Sequence, residues 1–144
     1  MQIDEIFKLW DEDSRIDVTQ LQFESLKIPQ LHNKYYKIYL SEKLILKKLK
    51  TKASQLKLEK QEFYLLGPTE ETKAKGWVLP ERGKILKPDL EPYLAADKDI
   101  IDLNLKLGVQ EEKIELVRSI LDTVKNRSFQ IRGAIDFIRF SNGE

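Results

Sequence analysis

The chain has 144 residues, 41% of them apolar and 34% charged, which is enough for one domain with its own hydrophobic core. It contains no cysteine, which excludes a disulfide scaffold, a thiol nucleophile and any cysteine-ligated metal. A single histidine, His32, excludes a two-histidine metal site, and a net charge of +1 does not by itself indicate a nucleic-acid partner.

Residues 1–30 predict an acidic N-terminal arm containing short helices. Its first apolar residues recur at the spacing of one helix face: Ile3, Ile6, Phe7 and Trp10. An acidic run, residues 11–13, follows them. Thr19 and Gln22 fit a capping box that would begin a second helix. Pro29 either kinks that helix or begins a new one at its first turn.

Residues 30–66 predict one long basic helix, because they include neither glycine nor proline and are mostly strong helix formers. Gly67 and Pro68 provide the stop signal. A helix of about 36 residues would be roughly 54 Å long. A globule of this chain length has a diameter of only about 37 Å. We therefore expect an elongated protomer, or an apolar stripe that other copies of the chain cover.

Residues 67–92 predict a Pro/Gly-rich connecting loop or small hairpin, since they contain four of the five prolines. Two short strands could form at residues 77–79 and 85–86. A third helical region follows from about residue 94 to residue 125, with a possible break at Gly108. Ser128 can cap a last helix, on which Ile131 and Ile135 share a face.

The expected fold is therefore mainly α, in a single helical domain of residues 1–144. The acidic arm and the long basic helix occupy residues 1–66, and the loop or hairpin occupies residues 67–92. Residues 93–144 form a C-terminal helical region, which we expect to be the oligomerisation region.

No segment of the sequence indicates catalysis. Residues 76–84 do not form a phosphate-binding loop, because their glycines are too far apart and Ile85 stands where a hydroxyl residue would hold magnesium. An aspartate cluster, residues 97–102, suits a helix start or solvent better than a metal. We expect His32 at the surface rather than as a general base. The chain is thus expected to have no enzymatic activity, cofactor or metal.

Charge is segregated along the chain. Residues 1–30 hold three basic and seven acidic residues, a net charge of −4, whereas residues 31–66 hold nine lysines and three glutamates, a net charge of +6. Such asymmetry between segments indicates an electrostatic partner better than the total charge does.

Lysines and tyrosines interleave on the predicted long helix. Four lysines lie within about 80° of a helical wheel: Lys43, Lys47, Lys50 and Lys57. Tyrosines occur among the lysines at positions 35, 36 and 39 and again at position 64. Cations that follow phosphates, together with rings that stack on bases, are typical of single-strand binders. A solvated helix face or an acidic protein partner would explain the same charges. A membrane surface is disfavoured, because no large apolar insertion face accompanies the lysines.

Four collinear segments carry a resemblance to a known family: residues 16–24, residues 56–60 followed by Phe63 and Tyr64, residues 94–100 and residues 121–131. In order and approximate spacing they resemble the UvsY-type recombination mediators of T-even-like phages over nearly the whole chain. The Ala-Asp-Lys-Asp block at residues 96–99 and the Lys-x-Arg-x-Phe-x-Ile run at residues 125–131 are the most specific.

The resemblance implies a single-stranded DNA-binding protein of phage recombination, repair and replication, located in the host cell cytoplasm. It implies binding to the phage strand-exchange recombinase and to the phage single-strand-binding protein, and loading of the recombinase onto DNA. It also implies a ring-like homo-oligomer of about six or seven copies, without enzymatic activity. The basic motif of the family matches at Lys57 and Lys60, with Glu59 between them.

The predicted DNA-binding residues are Lys43, Lys47, Lys50, Lys57, Lys60 and Tyr64. The predicted oligomerisation residues lie in the C-terminal helices: Ile120, Val124, Ile131, Ile135 and Ile138. The alternative is a helical scaffold that binds only protein, with its basic face docked on an acidic partner.

Overall fold

The computed structural model describes residues 1–144 and is mainly helical, with 79% of the residues in helices and no strand. The elements in chain order are α1 (Ile3–Asp13), α2 (Leu21–Leu26), α3 (Ile28–Leu66), α4 (Glu70–Ala74), a 3-10 turn (Lys87–Asp89), α5 (Leu90–Ala95) and α6 (Lys98–Ser141). The predicted mainly α fold with a long basic helix is confirmed.

Helix α3 spans 39 residues and begins and ends at the predicted signals. Pro29 lies in its first turn, where a missing N–H breaks no helical hydrogen bond. Gly67 follows its last residue with φ of +93°, and the Gly67 N–H donates to the Phe63 carbonyl at 3.0 Å. A side chain at this left-handed position would be strained, so glycine suits the helix end.

The predicted capping box of Thr19 and Gln22 is wrong. The Thr19 hydroxyl donates to the Asp17 carboxylate at 2.6 Å, and the residue before α2 is Gln20, whose side chain makes no cap bond. A short aspartate–threonine turn therefore uses the hydroxyl that was expected to cap the helix.

The C-terminal helices that the sequence suggested are one helix, α6, of 44 residues. Gly108 does not break it, and Ser128 lies inside it rather than before a new helix. A glycine inside a helix costs only about 1 kcal/mol relative to alanine. The apolar packing of α6 offsets this cost, because helix stability in proteins comes mainly from tertiary contacts.

Residues 67–92 contain no strand, so the suggested strands at residues 77–79 and 85–86 are wrong. The Ile85 N–H donates to the carbonyl of Tyr64, at 2.9 Å, and not to a strand partner. Ile85 is buried in a cluster with Phe63, and Trp77 packs against that cluster. Ile85 and Trp77 therefore act as side-chain anchors, whereas Val78 and Leu86 are exposed.

The chain forms two compact units. The terminal unit comprises residues Met1–Leu44 and Glu111–Glu144, and the central unit comprises residues Ile45–Gln110. The core of the terminal unit consists of Ile6, Tyr35, Val117, Ile120, Leu121 and Val124. The core of the central unit consists of Phe63, Tyr64, Ile85, Leu90 and Leu94.

In the terminal unit, Asp13 joins α1 to α3. Its carboxylate accepts hydrogen bonds from the Lys34 ammonium at 2.6 Å and from the Tyr35 hydroxyl at 2.8 Å. Burial would raise the pKa of Asp13, but these two hydrogen bonds lower it overall. Arg127 of α6 donates to the carbonyl oxygens of Asp13 and Ser14 at 2.8 and 2.9 Å, and so satisfies the end of α1.

Candidate nucleic-acid interface

Exposed lysines mark α3 within the central unit. We define the lysine surface as Lys47, Lys48, Lys50, Lys52 and Lys57, all of which are exposed. None of the five forms an ion pair within the protein. Their charges are therefore uncompensated and free to neutralise an external anion.

Lys43, the remaining lysine of the predicted row, belongs to the terminal unit and is half-buried. Its ammonium lies 5.2 Å from the centroid of the Tyr39 ring. This cation–π contact orients the side chain but leaves its charge uncompensated.

Lys60 has a different environment, inside the central unit. Only 4% of the residue is exposed. Its ammonium lies 3.1 Å from the Asp97 carboxylate and 2.8 Å from the Asp99 carboxylate. It also lies 3.9 Å from the centroid of the Trp77 ring. The lysine is thus held by two anions and a ring, all belonging to the same unit.

Tyr64 is part of the same network. Its hydroxyl donates to the Asp97 carboxylate at 2.7 Å. Burial, together with this bond to an anion, raises the pKa of Tyr64 well above its usual range. Burial would also raise the pKa of Asp97, but the hydrogen bonds from Tyr64, from the Ile100 N–H and from Lys60 lower it overall.

The structure therefore separates Lys60 and Tyr64 from the exposed lysines with which the sequence grouped them. An ammonium already paired with two carboxylates must break those contacts before it can bind a phosphate. Sequence reasoning missed Asp97, Asp99 and Trp77 as its partners, because they lie far from it along the chain. The only feature of the sequence that pointed to the carboxylate partners of Lys60 was the acidic block at residues 97–99.

Asp97 has the helix-start role that was expected for the aspartate cluster at residues 97–102. Its second carboxylate oxygen accepts from the N–H of Ile100 at 3.1 Å, at the start of α6. The expected helix-start role is confirmed for this residue. The structure contains no group of three or more acidic or histidine side chains arranged to hold a metal ion.

The predicted oligomerisation residues divide into two groups. Val124 is fully buried, and Ile120 and Ile131 are nearly so, within the terminal unit. These three belong to the interior of the terminal unit and are not part of its exposed surface. Ile135 and Ile138, by contrast, are 37% and 43% exposed.

The exposed isoleucines are accompanied by other apolar side chains. Phe129, Phe137 and Phe140 of α6 are also largely exposed. Ile135 and Ile138 line a shallow apolar groove together with Val18 and Leu21. The groove lined by Ile135 and Ile138 is an exposed apolar surface of the kind found at protein–protein contacts.

An all-helical protein with an unpaired lysine surface has the electrostatic character that suits proteins binding the phosphate backbone of nucleic acids. Residues 9–144 match the model of the family described as recombination, repair and ssDNA binding protein UvsY. The chain belongs to the UvsY family, a family of phage recombination, repair and ssDNA-binding mediators. The resemblance carried by the four sequence segments is thereby confirmed.

Solved structures show the same fold. The crystal structure of the bacteriophage T4 recombination mediator protein UvsY in lattice type IV matches with a TM-score of 0.79 at 20% identity, over 98% of this chain and 99% of that one. The lattice type II structure matches with a TM-score of 0.79 at 22% identity, over 99% and 98%. The lattice type I structure matches with a TM-score of 0.78 at 21% identity, over 95% and 98%.

A search of curated proteins found no significant match. None of the helices is both long and apolar enough to cross a membrane.

Proposed function

We propose that this chain is a non-enzymatic mediator that helps load a phage strand-exchange recombinase onto single-stranded DNA covered by the phage single-strand-binding protein. It would act in the host cell cytoplasm. The observation that carries the proposal is the lysine surface, a set of exposed ammonium groups without ion pairs in a member of the UvsY family. Such cations bind phosphates favourably because binding releases condensed counterions.

Assembly is the second part of the proposal. Copies of the chain associate through the exposed apolar side chains of α6, with Ile135 and Ile138 at the contact, into a ring of about six or seven. Each copy presents a weak site for the strand. Linked sites bind with a high effective concentration, so the ring holds DNA much more tightly than one copy does.

The ring of lysine surfaces provides a physical mechanism by which the chain helps to load the recombinase. A strand drawn along several lysine surfaces is bent or organised by them, because its phosphates follow the cations. That organised strand is a poorer substrate for the single-strand-binding protein and a better one for recombinase nucleation.

The DNA-binding step is tested by replacing Lys47, Lys50 and Lys57 together with glutamine. We expect weaker binding of a labelled oligonucleotide and a smaller dependence of affinity on salt. Each lost phosphate contact lowers the slope of log affinity against log salt by about 0.7 for single strands. Fluorescence titration at several salt concentrations measures both quantities.

The matched control replaces Lys98, Lys106 and Lys125, which are exposed on α6, with glutamine. It removes the same charge, and it should leave the salt slope close to that of the unmodified protein. Equal slopes for the two triple variants would contradict the assignment of the lysine surface. Absence of single-strand binding by the unmodified protein would favour the protein-only scaffold.

The loading step is tested separately with the phage recombinase and the phage single-strand-binding protein. Recombinase filament formation is followed on a strand already covered by the latter, with and without this chain. We expect faster nucleation with the unmodified chain and little acceleration with the Lys47, Lys50 and Lys57 variant. Equal nucleation rates with and without the chain would refute mediation while leaving DNA binding intact.

A further inference from the structure

Three aromatic side chains form a row on α3 within the terminal unit. The His32 and Tyr36 rings have centroids 5.7 Å apart and planes inclined by 16°. The Tyr36 and Tyr39 rings have centroids 6.1 Å apart and planes inclined by 27°. Positions four and three apart are neighbours on a helix surface, so the near-parallel rings share one face. We call these three residues the aromatic row.

Cations lie at one end of the aromatic row. The Lys43 ammonium is 5.2 Å and the Arg118 guanidinium 5.8 Å from the centroid of the Tyr39 ring. Arg118 of α6 also donates to the Tyr39 hydroxyl at 3.2 Å, which fixes the orientation of that ring. This hydrogen bond is the main cause of the lowered pKa of Tyr39. Arg118 is also ion-paired with the carboxylate of Glu115, so Lys43 is the cation at this end of the row that has no ion pair and can face an anion.

Tyr39 packs against the hydrophobic core of the terminal unit, whereas the middle of the aromatic row lies outside that core. The core tyrosine of this segment is the preceding residue, Tyr35, which is fully buried and bonded to Asp13. Tyr36, in contrast, is 43% exposed at the middle of the row. An aromatic ring that remains this exposed to water is available for contact with a planar ligand.

We infer that the aromatic row is a nucleobase-stacking site for single-stranded nucleic acid, with Tyr36 at its centre and with Lys43 beside the phosphates. The inference rests on the proposed single-strand binding and assigns base contact to this row in place of the buried Tyr64. Aromatic rings bind every base through its π face, so the site is tolerant of sequence.

The sequence supports the same assignment. At 100° per residue, positions 32, 36 and 39 fall in the same sector, about 80° wide, as the four lysines predicted from the helical wheel. Rings and cations thus recur with one helical phase along α3, which suits a ligand that carries bases and phosphates together.

The test compares Tyr36→Leu with Tyr36→Phe on two strands of equal length, oligothymidylate and an abasic strand that has the same phosphates and no bases. Leucine is a better helix former than tyrosine and is apolar, so the variant should fold. Circular dichroism and thermal unfolding check this directly. We expect Tyr36→Leu to bind oligothymidylate about tenfold more weakly than the unmodified protein.

Three further results are expected. Tyr36→Leu should bind the abasic strand as the unmodified protein does and should keep its salt slope, because the lysines are unchanged. Tyr36→Phe should behave as the unmodified protein on both strands, since stacking needs the ring and not the hydroxyl.

The outcomes separate this inference from the function on which it rests. Equal affinity of the unmodified protein for the two strands, or equal affinity of Tyr36→Leu and the unmodified protein for oligothymidylate, would overturn the stacking site and leave phosphate binding in place. Failure of the unmodified protein to bind either strand would overturn both proposals.

Discussion

At the scale of single residues, the same side-chain type has two different roles on one helix. Lys57 is exposed without an ion pair, whereas Lys60 is buried between Asp97 and Asp99. Removing one member of a buried ion pair leaves an uncompensated charge in a medium that solvates it poorly. Lys60 is therefore expected to contribute to stability, and Lys57 to ligand binding.

Replacing Lys60 with methionine should lower the free energy of unfolding by about 3 kcal/mol, because Asp97 stays buried without its cation. Urea unfolding followed by circular dichroism measures the change. The control, Lys57→Met, should change the stability by less than about 0.5 kcal/mol, since it alters an exposed side chain. Similar stabilities of the two variants would show that the buried pair contributes nothing.

At the scale of elements, α3 and α6 are much longer than typical helices, and α6 tolerates a residue that often ends one. Gly108 lies within α6 in a right-handed helical conformation, and a Cβ placed on it would meet no atom within 4 Å. Gly67 is the opposite case: its φ is +93°, and an added Cβ would lie 3.0 Å from Lys84 Cε. The two glycines thus have different functions, although the sequence marks both as potential breaks.

Gly108→Ala should raise the free energy of unfolding by about 1 kcal/mol, because alanine loses less backbone entropy in a helix. Gly67→Ala should lower it, because alanine is strained at a left-handed position. Both effects are measured as shifts in the denaturant concentration at the unfolding midpoint, relative to the unmodified protein, with the m-value unchanged. A destabilised Gly108→Ala would indicate that another copy of the chain packs against this position.

At the scale of the whole molecule, each unit has its own apolar core, and α6 leaves apolar side chains outside the core of the terminal unit. Contact between these apolar side chains and water is unfavourable in free energy unless a partner covers them. A second copy of the chain is the partner that the proposed assembly supplies. Self-association is therefore separable from folding by mutation.

The double variant Ile135→Asp, Ile138→Asp should sediment as a smaller species than the unmodified protein while keeping its helical content, because both side chains are exposed. Sedimentation velocity and circular dichroism measure the two properties. The comparison variant is Ile131→Asp, which should unfold the terminal unit, because Ile131 is only 3% exposed. A double variant that still sediments as the unmodified protein would contradict an assembly through α6.

The amino-acid sequence alone determined the helical class of the protein, the extent of α3 and its family. Helical periodicity, the Gly67-Pro68 stop and four collinear segments are local properties of the chain, so no knowledge of tertiary contacts was needed for them. The merging of two predicted helices into α6 was not predictable in this way. It depends on tertiary packing along α6, which decides whether the possible break at Gly108 and the possible cap at Ser128 are used.

Only the tertiary structure decided which side chains of a predicted face are available to a ligand. A helical wheel shows that Lys57 and Lys60 lie near each other, but it does not show that residues 97–99 cover one of them. It likewise groups Ile131 with Ile135, although only the first is enclosed by the core. The physical reason is that burial depends on partners distant in the sequence, whereas periodicity reports only on neighbours along one helix.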